Sequence, residues 1–244
     1  MIIELTGVSK QFSKSRFKLD NISFAINEGE IVGLIGSNGT GKSTILKLLN
    51  GLIPYDKGKI CYQGRDLKDL SNQQLREMRK DIAYIFQHHN LLLGETVYYH
   101  LTLVYKLNRS PVDQQAIDQI LEFLGLMRLK HIKCRHLSGG QQQKVAIAMA
   151  ILQQPRLILC DEISAALDIH SEKEIFDLLA KLSKDYGIAI LMIAHQLSIL
   201  KDYCDRVMII DDGTIAEVVV PVKSGSNQPS KDYVSQVKEF LLDD

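Results

Sequence analysis

The sequence predicts an α/β fold built on a largely parallel sheet with helices on both faces, and three observations carry that expectation. The short runs Ile31–Ile35, Leu157–Cys160, Ile188–Ala194 and Val207–Ile210 are too apolar to leave a face in water, which is how strands read when a parallel sheet is covered on both sides. Segments with a helical period fall between them, and strand–helix alternation is the pattern of an α/β chain. The first run leads through a glycine-rich loop into a helix pattern, a strand–loop–helix unit with a chemistry of its own.

In that unit Gly36-Ser37-Asn38-Gly39-Thr40-Gly41-Lys42-Ser43-Thr44 follows the strand, and Ile45, Leu46, Leu48 and Leu49 follow at helical spacing. This is G-x-x-x-x-G-K-[ST] in the context the motif requires. The glycines let successive backbone N–H groups turn toward one centre and form an anion nest. The helix behind them aims its positive end at the same centre. Lys42 can reach the outer phosphates of a nucleotide as a point charge, and the Ser43 hydroxyl can ligate Mg²⁺.

From about Gln87 to Pro155 helix signals replace strand signals, with apolar residues at Ala116, Ile117, Ile120, Leu121 and Leu124 of the segment Val112–Leu126. Residues 88–155 are therefore expected to form a mostly helical subdomain set into the core. Within it, Leu137-Ser138-Gly139-Gly140-Gln141 opens the apolar helix pattern that continues through Val145, a second anion-binding helix terminus. One nucleotide does not need two such cradles. Two copies of the chain packed head to tail would let each cradle face the other's, with ATP held between Lys42 of one and Ser138 of the other.

Leu157-Ile158-Leu159-Cys160-Asp161-Glu162 is an apolar strand ending in two acids. Asp161 suits an Mg²⁺ site beside the phosphate loop. Glu162 points elsewhere and could accept a proton from an attacking water. Further on, Ser171 with Glu174 reads as an S-x-x-E capping box before the stripe Ile175, Leu178, Leu179 and Leu182. Ile215–Val220 reads as a strand. Residues 223–244 read as a polar linker and a short amphipathic helix with Tyr233, Val237, Phe240 and Leu241 on one face.

Composition excludes several classes. Of 244 residues 45% are hydrophobic and 24% charged, and Lys+Arg and Asp+Glu both total 29. Such balance lacks the basic surplus of a protein that neutralises nucleic-acid phosphates, so no nucleic acid is expected as partner. The longest apolar run, Val145–Leu152, is far short of the roughly 20 residues that span a bilayer. No secretory signal is read at the N-terminus. Cys61, Cys134, Cys160 and Cys204 are scattered and suggest reduced thiols rather than a zinc site or a disulfide framework.

These residues resemble the ABC ATPase family from about Ile2 to Glu217, and the Leu137–Gln141 pentapeptide is that family's own signature. The resemblance implies a P-loop core with an N-terminal antiparallel β part and an inserted helical subdomain, spanning residues 1–222. It also implies further site residues. Phe12 falls where the family stacks an aromatic ring on adenine, and Gln87 where a glutamine senses Mg²⁺ and nucleotide. Ala165-Ala166-Leu167-Asp168 resembles the loop that crosses the dimer interface, with Asp168 at the nucleotide, and His195 resembles the histidine that bonds the γ-phosphate. The implied catalytic set is Glu162, His195, Lys42 and Gln87; the implied metal set is Ser43, Gln87 and Asp161. The implied partners are a second copy of the chain, transmembrane permease subunits and a solute-binding protein, at the cytoplasmic face of the membrane.

Within the family, Phe86-Gln87-His88-His89-Asn90-Leu91-Leu92, Leu159-Cys160-Asp161-Glu162 and Tyr203-Cys204-Asp205-Arg206-Val207 look most like methionine-importer ATPases. Similar segments occur in importers of phosphonates and polar amino acids. The stretch after Val220 is too short for those importers' C-terminal regulatory domain, so inhibition by internal methionine is not expected. Ile163-Ser164, Ala165, Lys144 and His100 depart from the family's common residues, and none of them removes a catalytic group. A DNA-repair or translation ATPase of the same class is the alternative reading. The interval between Lys42 and Ser138 is too short for the long coiled coil of the former, and the single module argues against the latter.

Overall fold

The computed structural model describes residues 1–12, 18–87, 90–164, 167–222 and 241–242. The chain opens with β1 (Ile3–Gln11), β2 (Lys18–Ile26), β3 (Ile31–Gly36), α1 (Lys42–Leu49), β4 (Lys57–Tyr62) and β5 (Arg65–Asp66). It continues through α2 (Asn72–Asp81), β6 (Ile82–Ile85), α3 (Val97–Asn108), α4 (Gln114–Phe123) and α5 (Gly139–Leu152). The last part is β7 (Leu157–Asp161), α6 (Ile169–Tyr186), β8 (Ala189–Ile193), α7 (Leu197–Tyr203), β9 (Arg206–Asp211) and β10 (Thr214–Val219).

The strands form two sheets. An antiparallel one has the order β2-β1-β4-β5, and a six-stranded one has the order β10-β9-β3-β8-β7-β6. In the larger sheet β9, β3, β8, β7 and β6 are mutually parallel, and β10 turns back antiparallel along the edge. The uniformly apolar strands have the physical reason expected of them, since successive side chains point to opposite faces and both faces are covered. Ile158 and Cys160 of β7, with Ile190 and Met192 of β8, enter a core shared with α3, α4, α5, α6 and α7. Leu157 and Leu159, with Leu191 and Ile193, enter a second core with α1 and the antiparallel sheet.

Between β6 and β7 the described residues carry α3, α4, α5 and short 3₁₀ turns, with a single isolated bridge from Thr96 to Lys133. No helix among the described residues is long and apolar enough to cross a membrane. None of the four cysteines forms a disulfide, and Cys134, Cys160 and Cys204 are buried.

One local expectation is corrected. The N-cap of α6 is Asp168, not Ser171: the Asp168 carboxylate takes the backbone N–H of Ser171 at 2.9 Å and its hydroxyl at 2.9 Å. Ser171 lies inside the first turn, and Glu174 pairs with Lys144 at 3.1 Å instead of reaching back to a cap. An aspartate three residues ahead of Ser171 offers the same acceptor geometry, so the S-x-x-E pattern was one of two competing starts. Asp168→Ala is therefore expected to lower the melting temperature by a few degrees, and more than Ser171→Ala does, as circular-dichroism melts would show.

The linker expected after Val222 lies outside the described residues, as do most of the helix expected to follow it and the adjacent His88 and His89. Of that helix, Leu241 is described. It is buried in the core, and its carbonyl accepts the Val222 N–H at 2.8 Å.

Candidate active site

Adjacent parallel strands deliver their C-terminal ends to one edge of the sheet, where ligands bind in open α/β folds. The glycine-rich loop leaves β3, His195 follows β8, Asp161 and Glu162 end β7, and Gln87 follows β6. The loop's shape depends on particular glycines. Gly41 caps α1 at φ +99°, a region L side chains rarely adopt. A Cβ on Gly36 would stand 2.4 Å from the Ile210 carbonyl oxygen.

Inside the loop the Lys42 ammonium donates to the carbonyls of Gly36 at 2.7 Å and Ser37 at 3.0 Å. Burial pushes its pKa below the usual lysine range, while the charges of Glu162 and Asp161 pull it back up. A buried cation that, among the described residues, donates to two carbonyls favours the arrival of an anion. Behind it the Ser43 hydroxyl donates to Asp161 Oδ1 at 2.9 Å, and the Tyr84 hydroxyl donates to Asp161 Oδ2 at 2.8 Å. Ser43 and Asp161 are hard oxygen donors side by side at the phosphate loop, which is the donor chemistry of Mg²⁺.

Glu162 turns away from Asp161 because its own φ is +52°. This left-handed conformation costs a non-glycine residue roughly 1–2 kcal/mol, and such strain concentrates at functional sites. Both oxygens of Glu162 are held: His195 Nε2 lies 2.8 Å from Oε1, and the Gln87 side-chain amide donates to Oε2 at 2.9 Å. Three residues from three strand ends thus meet at one carboxylate. Beyond Gln87, buried His100 accepts the Leu92 N–H on Nε2 at 2.9 Å, and its Nδ1 lies 2.8 Å from the Thr96 carbonyl. This contact ties the loop after Gln87 to α3.

Other expected residues stand elsewhere. Ser138 caps α5 in a capping box: its hydroxyl accepts the Gln141 N–H at 3.3 Å, and its own N–H donates to the Gln141 side chain at 3.0 Å. The hydroxyl proton remains available for an anion. Ser138, Gly140, Gln141 and Asp168 share a polar pocket of about 380 Å³ that has none of residues 36–44 in its lining. Phe12 stands exposed just past β1, with the Lys10 ammonium 5.6 Å from its ring centre. Ala165 and Ala166 lie outside the described residues.

The chain matches the ABC transporter family over residues 19–165. It belongs to that family. The methionine import ATP-binding protein MetN of Clostridium acetobutylicum is 40% identical over 218 residues, 88% of this chain and 68% of the relative. That of Haemophilus ducreyi is 39% identical over 221 residues, 88% of this chain and 64% of the relative. The chain thus spans about two thirds of the length of these curated relatives. Among solved structures, an ATP-binding cassette captured as a dimer with ADP and Pi after hydrolysis superposes with a TM-score of 0.83 at 28% identity, over 92% of this chain and 100% of that one. CbiO1 from Clostridium perfringens, part of the transporter complex cbiONQ, gives 0.78 at 28% identity, over 89% and 87%. This chain is accordingly an ATPase cassette of the ABC transporter family.

Sequence reasoning missed Tyr84. The available signal was a lone hydroxyl in the otherwise apolar strand Ile82-Ala83-Tyr84-Ile85.

Proposed function

We propose that the cassette works as a head-to-tail pair and powers import of an amino acid of the methionine class through a separate membrane permease. The observation that carries its catalytic half is the meeting of Gln87, His195 and Glu162 beside the phosphate loop. Gly36–Thr44 cradle the phosphates of ATP, Lys42 neutralises the outer ones, and Ser43 and Asp161 hold Mg²⁺, with Gln87 sensing it. Mg²⁺ supplies charge neutralisation at the transferring phosphoryl group. Phe12 lies against the adenine.

Glu162 takes a proton from the attacking water through a carboxylate lone pair that its two present partners leave open. His195, once released, donates to the γ-phosphate. Ser138, Gly139, Gly140, Gln141 and Asp168 face the nucleotide of the second copy. The isolated polar pocket at Ser138 supports this arrangement, because a half-site without a phosphate loop needs a partner that supplies one.

The permease seats in a groove of about 860 Å³ between α2, β6, the end of α3 and α5, walled by Phe86, Met149, Arg76 and Arg109. The groove adjoins Gln87, so a partner there can read the state of the site. In this reading the cassette works at the cytoplasmic face of the membrane, with a solute-binding protein completing the system. The name carried by the relatives, methionine import ATP-binding protein, supports the substrate class.

Deleting the gene in its host is expected to reduce uptake of labelled methionine at low external concentration severalfold. A plasmid copy should restore uptake, and a Glu162→Gln copy should not. Unchanged methionine uptake alongside impaired uptake of another solute would overturn the substrate class.

A further inference from the structure

Asp161 is a buried carboxylate, and the hydrogen bonds to its side chain come from Ser43 on one oxygen and Tyr84 on the other. A Ser43 hydroxyl ligates a metal ion through an oxygen lone pair and keeps its proton for Asp161, so the Oδ1 side of the carboxylate is the side turned to the ion. Tyr84 is the donor that holds the other oxygen.

The strand geometry explains why Tyr84 can serve. β6 and β7 are parallel neighbours with Tyr84 opposite Leu159, so Tyr84 and Asp161 lie on the same face, two residues apart in register. The phenol reaches one step along β7 to Oδ2 at 2.8 Å. Its ring is stacked on Phe86, with centroids 4.1 Å apart and planes at 24°, in the wall of the groove. A tyrosine phenol carries its proton at neutral pH and so serves as a donor here. A hydroxyl half-buried in an apolar strand is costly unless bonded, and this one is spent on the carboxylate.

We propose that Tyr84 is a positioning residue for metal binding: its hydroxyl fixes one oxygen of Asp161 and so presents the other to the ion at Ser43. This rests on the reading of Ser43 and Asp161 as the Mg²⁺ site. Groups that orient a metal ligand in this way typically contribute 10–100-fold in metal affinity.

The test uses a fluorescent ATP analogue titrated into the full chain in EDTA and in Mg²⁺. The ratio of the two dissociation constants measures how far the metal tightens binding through the protein. In Tyr84→Phe, which keeps the ring and its stack, that tightening is expected to fall about tenfold, with the EDTA value unchanged. Tyr84→Met, which removes the stack as well, should lose the same factor. No tightening in the unsubstituted protein would overturn the metal-site reading itself. Tightening that persists within twofold in Tyr84→Phe would overturn the inference. So would a loss seen only in Tyr84→Met, or an equal loss of affinity in EDTA, since either places the effect in packing.

Discussion

Glu162→Gln is expected to reduce ATP turnover by roughly 10²–10⁴-fold, the contribution of a positioned general base, while leaving ATP binding intact. The substitution preserves volume and removes the charge. Glutamine offers one oxygen where glutamate offers two, so it can keep the contact to His195 or to Gln87 but not accept from both as the carboxylate does. The phosphate loop is untouched, because Lys42 and Ser43 are bonded to Gly36, Ser37 and Asp161 rather than to Glu162. Nucleotide should still enter and draw two copies together, and the pair should persist because the step that releases it is blocked. The readings are a phosphate-release assay and size-exclusion chromatography with ATP, where the variant should elute as a dimer. Turnover at the level of the unsubstituted protein would remove Glu162 from the role of base.

Lys42→Ala is expected to act on binding. The ammonium makes two contacts within the loop, to carbonyls at 2.7 and 3.0 Å, and in the proposed site its charge meets the outer phosphates. Hydrogen bonds to charged groups contribute about 1.5–3 kcal/mol each. An ammonium that gives two hydrogen bonds of this kind to phosphate oxygens should, when lost, weaken ATP-analogue affinity by about 100-fold or more, at roughly 1.4 kcal/mol for each factor of ten. Stability should respond differently. Burial holds the Lys42 pKa below its ordinary value, so the charged side chain is a cost to folding that alanine removes. The contacts to Gly36 and Ser37 lost with it work in the opposite direction. The melting temperature should therefore stay within a few degrees while affinity collapses. An affinity within threefold of the unsubstituted protein would contradict the role assigned to the loop. The two variants also separate from each other, since one retains nucleotide without turnover and the other fails to retain it.

The sequence by itself determined whatever is local and contiguous. The apolar runs at Ile31, Leu157, Ile188 and Val207 announced strands buried on both faces, because side-chain alternation leaves such a strand no wet side. The phosphate loop was legible because its glycines, lysine and hydroxyl act within one turn of chain, with Gly41 at φ +99° as the motif needs. The signature pentapeptide was legible for the same reason, as a capped helix start at Ser138. Local competition already blurred the start of α6, where Asp168 and Ser171 are both good caps and only the packed helix selects Asp168.

What the tertiary structure decided is how distant segments meet. Ser43 reaches Asp161 across 118 positions, Tyr84 reaches Asp161 across 77, and Gln87 reaches Glu162 across 75. No period or spacing encodes these contacts, because they depend on the strand order β3-β8-β7-β6. That order in turn comes from burying two apolar faces at once, one against α1 and the antiparallel sheet and the other against α5, α6 and α7. Once it is set, Tyr84 must lie beside Asp161, since neighbouring parallel strands hold their same-face residues within reach of each other.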